Sequence, residues 1–213
     1  MSDIGKDLIE LGQYLMSHSL AWGNSGNLSV RVDTENFLIT ATGTDLGKLM
    51  YDDFVNVEIA SGRWQGKVKP SKEVPMHTAI YSERSDAGAI IHASPFWSTL
   101  FACADAKVVS ELFVESMYYL EKIAYVEYFH PGSNELGEAV RAKAREANII
   151  ILANHGVIVY DSDIREARMR LETLETTCRM IVTANAAELP LKRLSPSLVM
   201  DFLHNSGYKL KKK

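Results

Sequence analysis

Two cysteines among 213 residues, Cys103 and Cys178, are too few and too far apart for a disulfide framework or a zinc knuckle, so a reduced, cytoplasmic setting is expected. No apolar run is long enough to span a bilayer. Asp3, Asp7 and Glu10 interrupt the apolar residues of the N-terminus, so neither a membrane segment nor a signal peptide is expected. Surplus positive charge is missing as well: a net charge of -4 argues against a nucleic-acid-binding body, which needs concentrated Lys and Arg to neutralise phosphate. The one basic run, Lys209-Leu210-Lys211-Lys212-Lys213, closes the chain and reads as a solvated tail. No Gly-x-x-x-x-Gly-Lys nucleotide loop, internal repeat or low-complexity linker occurs. What remains is an ordinary globular composition, 46% hydrophobic and 23% charged, long enough for one sizeable core and read as a single domain over 1–213.

Ile4, Leu8, Leu11 and Leu15 recur at helical spacing and predict an amphipathic helix in the first twenty residues, stopping near Trp22-Gly23. Strand-like runs fall at 28–32, 37–40, 55–59, 89–91, 124–128, 149–152 and 157–160. Further helices are predicted on Met76, Ile80 and Tyr81, and over 95–104 with Phe96, Leu100 and Phe101 in the core. Two more run over 133–147 with Leu136, Val140 and Ala144 inward, and over 164–187 on a stripe from Ala167 to Val182. Ser195-Pro196 opens a last short helix. The pattern implies one mixed α/β domain, a largely antiparallel sheet flanked by helices.

The chemistry concentrates between Lys69 and Ser94. Glu73 stands at a helix start, and the apolar run Ala89-Ile90-Ile91 delivers His92 at a strand end. The run Ile149-Ile150-Ile151-Leu152 repeats that design and delivers His155 where the chain turns. Two such imidazoles and a carboxylate suggest a divalent metal with a general base. Glu73 and His77, four apart on one helix face, would equally make a local hydrogen-bonded pair without any metal. Gly23-Asn24-Ser25-Gly26-Asn27, Ala41-Thr42-Gly43-Thr44 and Ser71 put small neutral donors into three loops. That suits a phosphate, although a plain tight turn uses the same residues. His18, His77, His130 and His204 read as structural or surface residues.

Together these motifs resemble the class II aldolase/adducin family along nearly the whole chain. Gly26-Asn27-Leu28-Ser29-Val30-Arg31 and Thr40-Ala41-Thr42-Gly43 resemble its two phosphate loops, and Pro70-Ser71-Lys72-Glu73 the loop of its catalytic glutamate. His92 and Asn154-His155-Gly156 resemble metal-ligand segments, and Pro131-Gly132-Ser133-Asn134-Glu135-Leu136, with Tyr128 ahead of it, a further block. The resemblance implies a three-layer α/β fold, a divalent metal held by His92 and His155 (zinc, with manganese or cobalt as alternatives), and homotetramers with sites at subunit interfaces. It also implies cleavage of a ketose phosphate such as L-fuculose 1-phosphate, giving dihydroxyacetone phosphate and an aldehyde through a metal-stabilised enediolate. Glu73 would move the proton, Tyr128 from a neighbouring subunit would serve the aldehyde oxygen, and Asn27, Thr42, Gly43, Ser71 and Lys72 would hold the phosphate. Related epimerases, decarboxylases and dehydratases, and non-catalytic adducin-like binding proteins, share the fold. Two departures stand out. The family's metal enzymes end the first strand His-x-His, whereas this chain has His92-Ala93-Ser94, so that Glu115, Glu111 or a water would have to replace the second ligand. Lys72 stands where a second phosphate-binding serine is usual.

Overall fold

In the computed structural model, which describes residues 4–208, the chain builds one seven-stranded sheet with helices on both faces. Helix α1 (Ile4–Ser17) leads into β1 (Asn27–Arg31), β2 (Asn36–Thr40) and β3 (Phe54–Glu58). Then come α2 (Val74–Glu83), β4 (Ala89–Ala93), α3 (Phe96–Ala102), α4 (Val114–Tyr119) and β5 (Ile123–Val126). The chain finishes with α5 (Asn134–Ala144), β6 (Ile149–Leu152), β7 (Gly156–Asp161), α6 (Ile164–Ala186) and α7 (Pro196–Asn205). Sheet order is β3-β2-β1-β4-β7-β6-β5. Every pairing is antiparallel except β5 with β6 at one edge.

The central strands are apolar on both sides because both sides are covered. Ile149, Ile151, Val157 and Val159 face a core shared with Leu8, Leu15, Phe101, Leu171 and Leu174, from α1, α3 and α6. Ile150, Leu152, Ile158 and Tyr160 face a second core with Met76, Ile80, Leu136 and Val140, from α2 and α5. Alternate residues of one strand therefore divide between two cores, the period-2 geometry of an extended chain. Leu8, Leu15 and Leu171 are fully buried, each contributing about 2 kcal/mol of apolar transfer.

Several helix ends are set by side chains. Ser133, Asp163 and Ser195 cap α5, α6 and α7 by accepting from the backbone N–H three residues on. The short α3 has no cap of its own; the Glu175 carboxylate of α6 takes the backbone N–H groups of Trp97 and Ser98 and the Ser98 hydroxyl.

Three local expectations are corrected. Helix α1 ends at Ser17, not near Trp22, because Ser19 adopts a left-handed backbone (φ 57°) and the chain breaks away there. Phe96 and Leu100 are 67% and 41% exposed; Phe101 alone of that trio is buried, since α3 turns a single narrow face to α6. Tyr128 lies beyond the end of β5 rather than within it. The basic run 209–213 lies outside the described residues. Among those described, no helix is long and apolar enough to cross a membrane.

Candidate active site

Sheet order explains how distant residues meet. Strands β1, β4 and β7 are neighbours, with Asn27 directly opposite His92 across β1–β4 and His92 opposite Ile158 across β4–β7. His155 sits in the tight turn between β6 and β7, where Asn154 takes a left-handed backbone (φ 54°). Helix α2 begins over this end of the sheet. Glu73 is its N-cap residue, yet its side chain makes no capping bond and turns towards the histidines.

Gly26 permits this closeness. Its φ is +89°, and a Cβ there would lie 2.6 Å from the His92 carbonyl oxygen. Glycine is thus required both by backbone conformation and by contact.

The resulting cluster is buried and compact. His92 Nε2 lies 3.0 Å from Glu73 Oε2 and His155 Nε2 lies 3.1 Å from Glu73 Oε1. The two rings are 4.8 Å apart between centroids, at 69°. Asn27 Nδ2 donates to Glu73 Oε2 at 2.8 Å. His92 Nδ1 donates to the Val157 carbonyl at 3.0 Å, which turns the Nε2 lone pair of a neutral imidazole onto the carboxylate. Two acceptors do not face each other at 3.0 Å unless a positive charge sits with them, as a proton on the ring or as a cation between them. Glu73 Oε1 and His155 Nδ1 are buried without a hydrogen-bond partner among the described residues.

Electrostatics agree with the geometry. Burial works to raise the Glu73 carboxyl, but the imidazoles of His92 and His155 outweigh it and hold it far below the usual carboxylate range. Burial works to lower His92, and the Glu73 charge reverses that into a net rise. Two imidazole nitrogens and a carboxylate oxygen within 4.8 Å of one another form a donor set suited to a divalent ion.

Beside the cluster opens a cavity of about 320 Å³ lined by Asn27, Thr42, Gly43, Ser71, Lys72 and Glu73, so all five expected phosphate residues share one wall system with the expected catalytic glutamate. Ser71 Oγ accepts from the Glu73 backbone N–H at 3.2 Å, fixing the turn that presents both. Asn27 spends its carbonyl on His77 and one amide hydrogen on Glu73, leaving a second amide hydrogen. Pro131 completes the rim, and Gly132 packs so closely on the Lys72 carbonyl that an added Cβ would lie 2.7 Å from it.

Other expectations fare differently. Tyr128 is 51% exposed, contacts His130 Nδ1 through its hydroxyl at 3.3 Å, and does not line this cavity within its own chain. Ser94 does not replace the second histidine: its hydroxyl donates to the His155 carbonyl at 3.1 Å, pinning the turn. Neither Glu115 nor Glu111 joins the cluster. Glu115 accepts from the Tyr208 hydroxyl, and the Glu111 carbonyl accepts from the backbone of Leu194. The third candidate ligand is Glu73 itself. His77, read from sequence as structural by default, is fully buried and bonded to Asn27 rather than to Glu73. The four-residue spacing from Glu73 suggested a local pair that the fold does not make; its partners are Asn27 and Ser29 on β1.

A family model described as Class II Aldolase and Adducin N-terminal domain matches residues 6–182. The chain is 30% identical over 213 residues to a 3-oxo-tetronate 4-phosphate decarboxylase of Haemophilus influenzae, covering 97% of this chain and 100% of that protein. It is 33% identical over 175 residues to an L-fuculose phosphate aldolase of Methanocaldococcus jannaschii, covering 82% and 93%. A solved L-fuculose 1-phosphate aldolase superposes with a TM-score of 0.86 at 25% identity, over 98% of each chain. The three-layer arrangement around a mixed seven-stranded sheet is therefore shared with a solved L-fuculose 1-phosphate aldolase, and the chain belongs to the class II aldolase/adducin family.

Proposed function

We propose that this protein is a divalent-metal-dependent carbon–carbon lyase acting on a small phosphorylated keto compound. The observation that carries this reading is the convergence of Glu73, His92 and His155 on one point at the edge of a cavity walled by neutral phosphate donors and Lys72. A divalent ion held by the two Nε2 atoms and Glu73 supplies Lewis-acid stabilisation for substrate oxygens that gain charge. The protein residues do the rest. Thr42, Gly43, Ser71 and Lys72 hold the phosphate, so binding energy remote from the reacting bond positions it. Glu73 Oε2 is held by both Asn27 and His92 while Oε1 meets only His155, which makes Oε1 the less committed atom and the one to carry a proton to or from the reacting carbon.

Of the two cleavages, loss of carbon dioxide from a 3-keto acid phosphate is better supported than aldehyde release. The carboxylate leaves as carbon dioxide, its bonding electrons pass into an enediolate, and Glu73 returns a proton to the carbon. No aldehyde oxygen then needs an acid, so this reaction makes no demand on Tyr128. End-to-end similarity to a decarboxylase points the same way. Aldol cleavage is the second reading, favoured by the exposure of Tyr128 on a loop whose Pro131 rims the cavity, where a neighbouring subunit of a tetramer would receive it.

The test is product identity. Purified protein with zinc, manganese or cobalt is given 3-oxo-tetronate 4-phosphate and, separately, L-fuculose 1-phosphate. Carbon dioxide from the first supports decarboxylation, and dihydroxyacetone phosphate from the second supports the aldol reading. Neither product with any of the three metals would remove the lyase assignment and leave a binding protein.

A further inference from the structure

Three buried side chains have no part in the chemistry above yet lie in line with it. The Tyr81 hydroxyl is 2.9 Å from Ser29 Oγ, and Ser29 Oγ is 2.7 Å from His77 Nδ1. His77 Nε2 is 2.6 Å from Asn27 Oδ1, and Asn27 Nδ2 is 2.8 Å from Glu73 Oε2. Tyr81, Ser29 and His77 are 2%, 1% and 0% exposed, so bulk water does not substitute for any of them. Their placement follows from local structure: Asn27 and Ser29 are two apart on β1 and share the face under α2, while Glu73 at the N-cap of α2 and His77 and Tyr81 within it are spaced four apart.

The ends of the chain fix its direction. An ionised carboxylate only accepts, so the Asn27 amide must turn its nitrogen to Glu73 and its oxygen to His77. His77 then carries its proton on Nε2 and accepts at Nδ1. Ser29 must donate to that Nδ1, which leaves its oxygen to accept from Tyr81. Each of the four bonds donates towards Glu73. Burial, with the charge on His92 adding to it, pushes His77 down to about 3, so the neutral ring this pattern needs is the form present near neutrality.

We propose that His77 is a positioning residue for Glu73: as the Nε2–H tautomer, with Ser29 donating to its Nδ1, it locks the Asn27 amide against rotation and so keeps Glu73 Oε2 occupied and Oε1 turned towards His155. With the lock removed, the Asn27 oxygen loses its donor, the side chain is free to leave its rotamer, and its hold on Glu73 Oε2 loosens. This inference rests on the reading of Glu73 as the proton carrier, but its first test does not need turnover.

Nitrogen-15 NMR of histidine-labelled full-length protein reads the tautomer directly. The expected result is a neutral His77 protonated at Nε2, and an Nδ1–H tautomer or an imidazolium near neutral pH overturns the proposal. With whichever substrate turns over, His77→Leu is expected to lower kcat about 10- to 100-fold with little change in KM, the usual scale for groups that orient a metal-site residue. His77→Gln, which keeps a donor near the Nε2 position, should restore most of the loss. Equal loss in both variants, or a loss confined to KM, contradicts the positioning role. Should His77→Leu fail to fold, Ser29→Ala removes the donor to Nδ1 and leaves His77 held only through Asn27: a smaller loss of kcat at unchanged KM is then expected, and a loss confined to KM contradicts the positioning role. If the lyase reading itself fails, no variant turns over and the tautomer measurements alone decide.

Discussion

Asn27 and His92 stand opposite each other across β1 and β4, and both reach the same oxygen of Glu73. The carboxylate is thus gripped from two adjacent strands on one side, while its other oxygen meets only His155. A group held in this way keeps one oxygen fixed and one available, which is the property a proton carrier beside a cation needs.

Glu73→Gln keeps the shape and removes the charge. Turnover should fall by about 10²-fold or more, the scale of a lost general acid–base group. Because Glu73 belongs to the ligand cluster as well, binding of zinc by the stripped protein should weaken in a competition titration. Retained turnover would remove Glu73 from the chemistry.

Exhaustive chelation should abolish activity and lower the melting temperature, since an ion that binds only the folded chain stabilises it by mass action. Adding back zinc, manganese or cobalt should restore both, with elemental analysis reporting one ion per chain. Full activity of protein shown to be metal-free would exclude the proposed centre.

In the stripped protein the cluster also predicts a pH profile. Glu73 is depressed below its ordinary 4.5, so its contribution is present above that value and is lost as the pH falls through the folded value. His92 is raised above its ordinary 6.5, so its contribution is complete below 6.5 and is lost as the pH rises through the folded value. Melting temperature should therefore be highest between these limits and decline on the alkaline side. A steady rise from 6.5 upward would mean that the two groups are not paired in the metal-free protein.

Gly26→Ala places a methyl against the His92 carbonyl in a backbone conformation that alanine rarely adopts. A loss of about 1–3 kcal/mol is expected from the strained backbone alone, measured by denaturant unfolding. Activity should fall further than stability predicts, because β1 can relieve the contact only by moving Asn27 away from Glu73. Wild-type stability and activity together would show that the approach is looser than described.

Much of this was legible in the sequence, and the boundary is physical. Ile149–Leu152 and Ala89–Ala93 declare themselves as strands because both faces are covered, and each points to its histidine. The grouping of Thr42, Gly43 and Ser71 followed from their loop chemistry. The exposure of Phe96 and Leu100 did not, since periodicity finds a stripe without saying how wide a face the neighbouring helix covers. The second duty of Asn27 was hidden because it depends on which strand lies beside β1. His77 was missed for the same reason: a histidine inside a helix carries no mark of the strand it will meet. The fate of Ser94 could be read only from the turn it pins.

The order of strands has a consequence for how the protein acquires its metal. His92 bonds to Val157, 65 positions along the chain, and β4 meets β7 only after α3, α4, β5, α5 and β6 have been laid down between them. Such distant closures are formed late and slowly. A nascent or half-assembled chain therefore offers no pair of imidazoles to a passing ion. Capture of the cation becomes a receipt for completed assembly, issued only once the middle of the sheet has zipped shut.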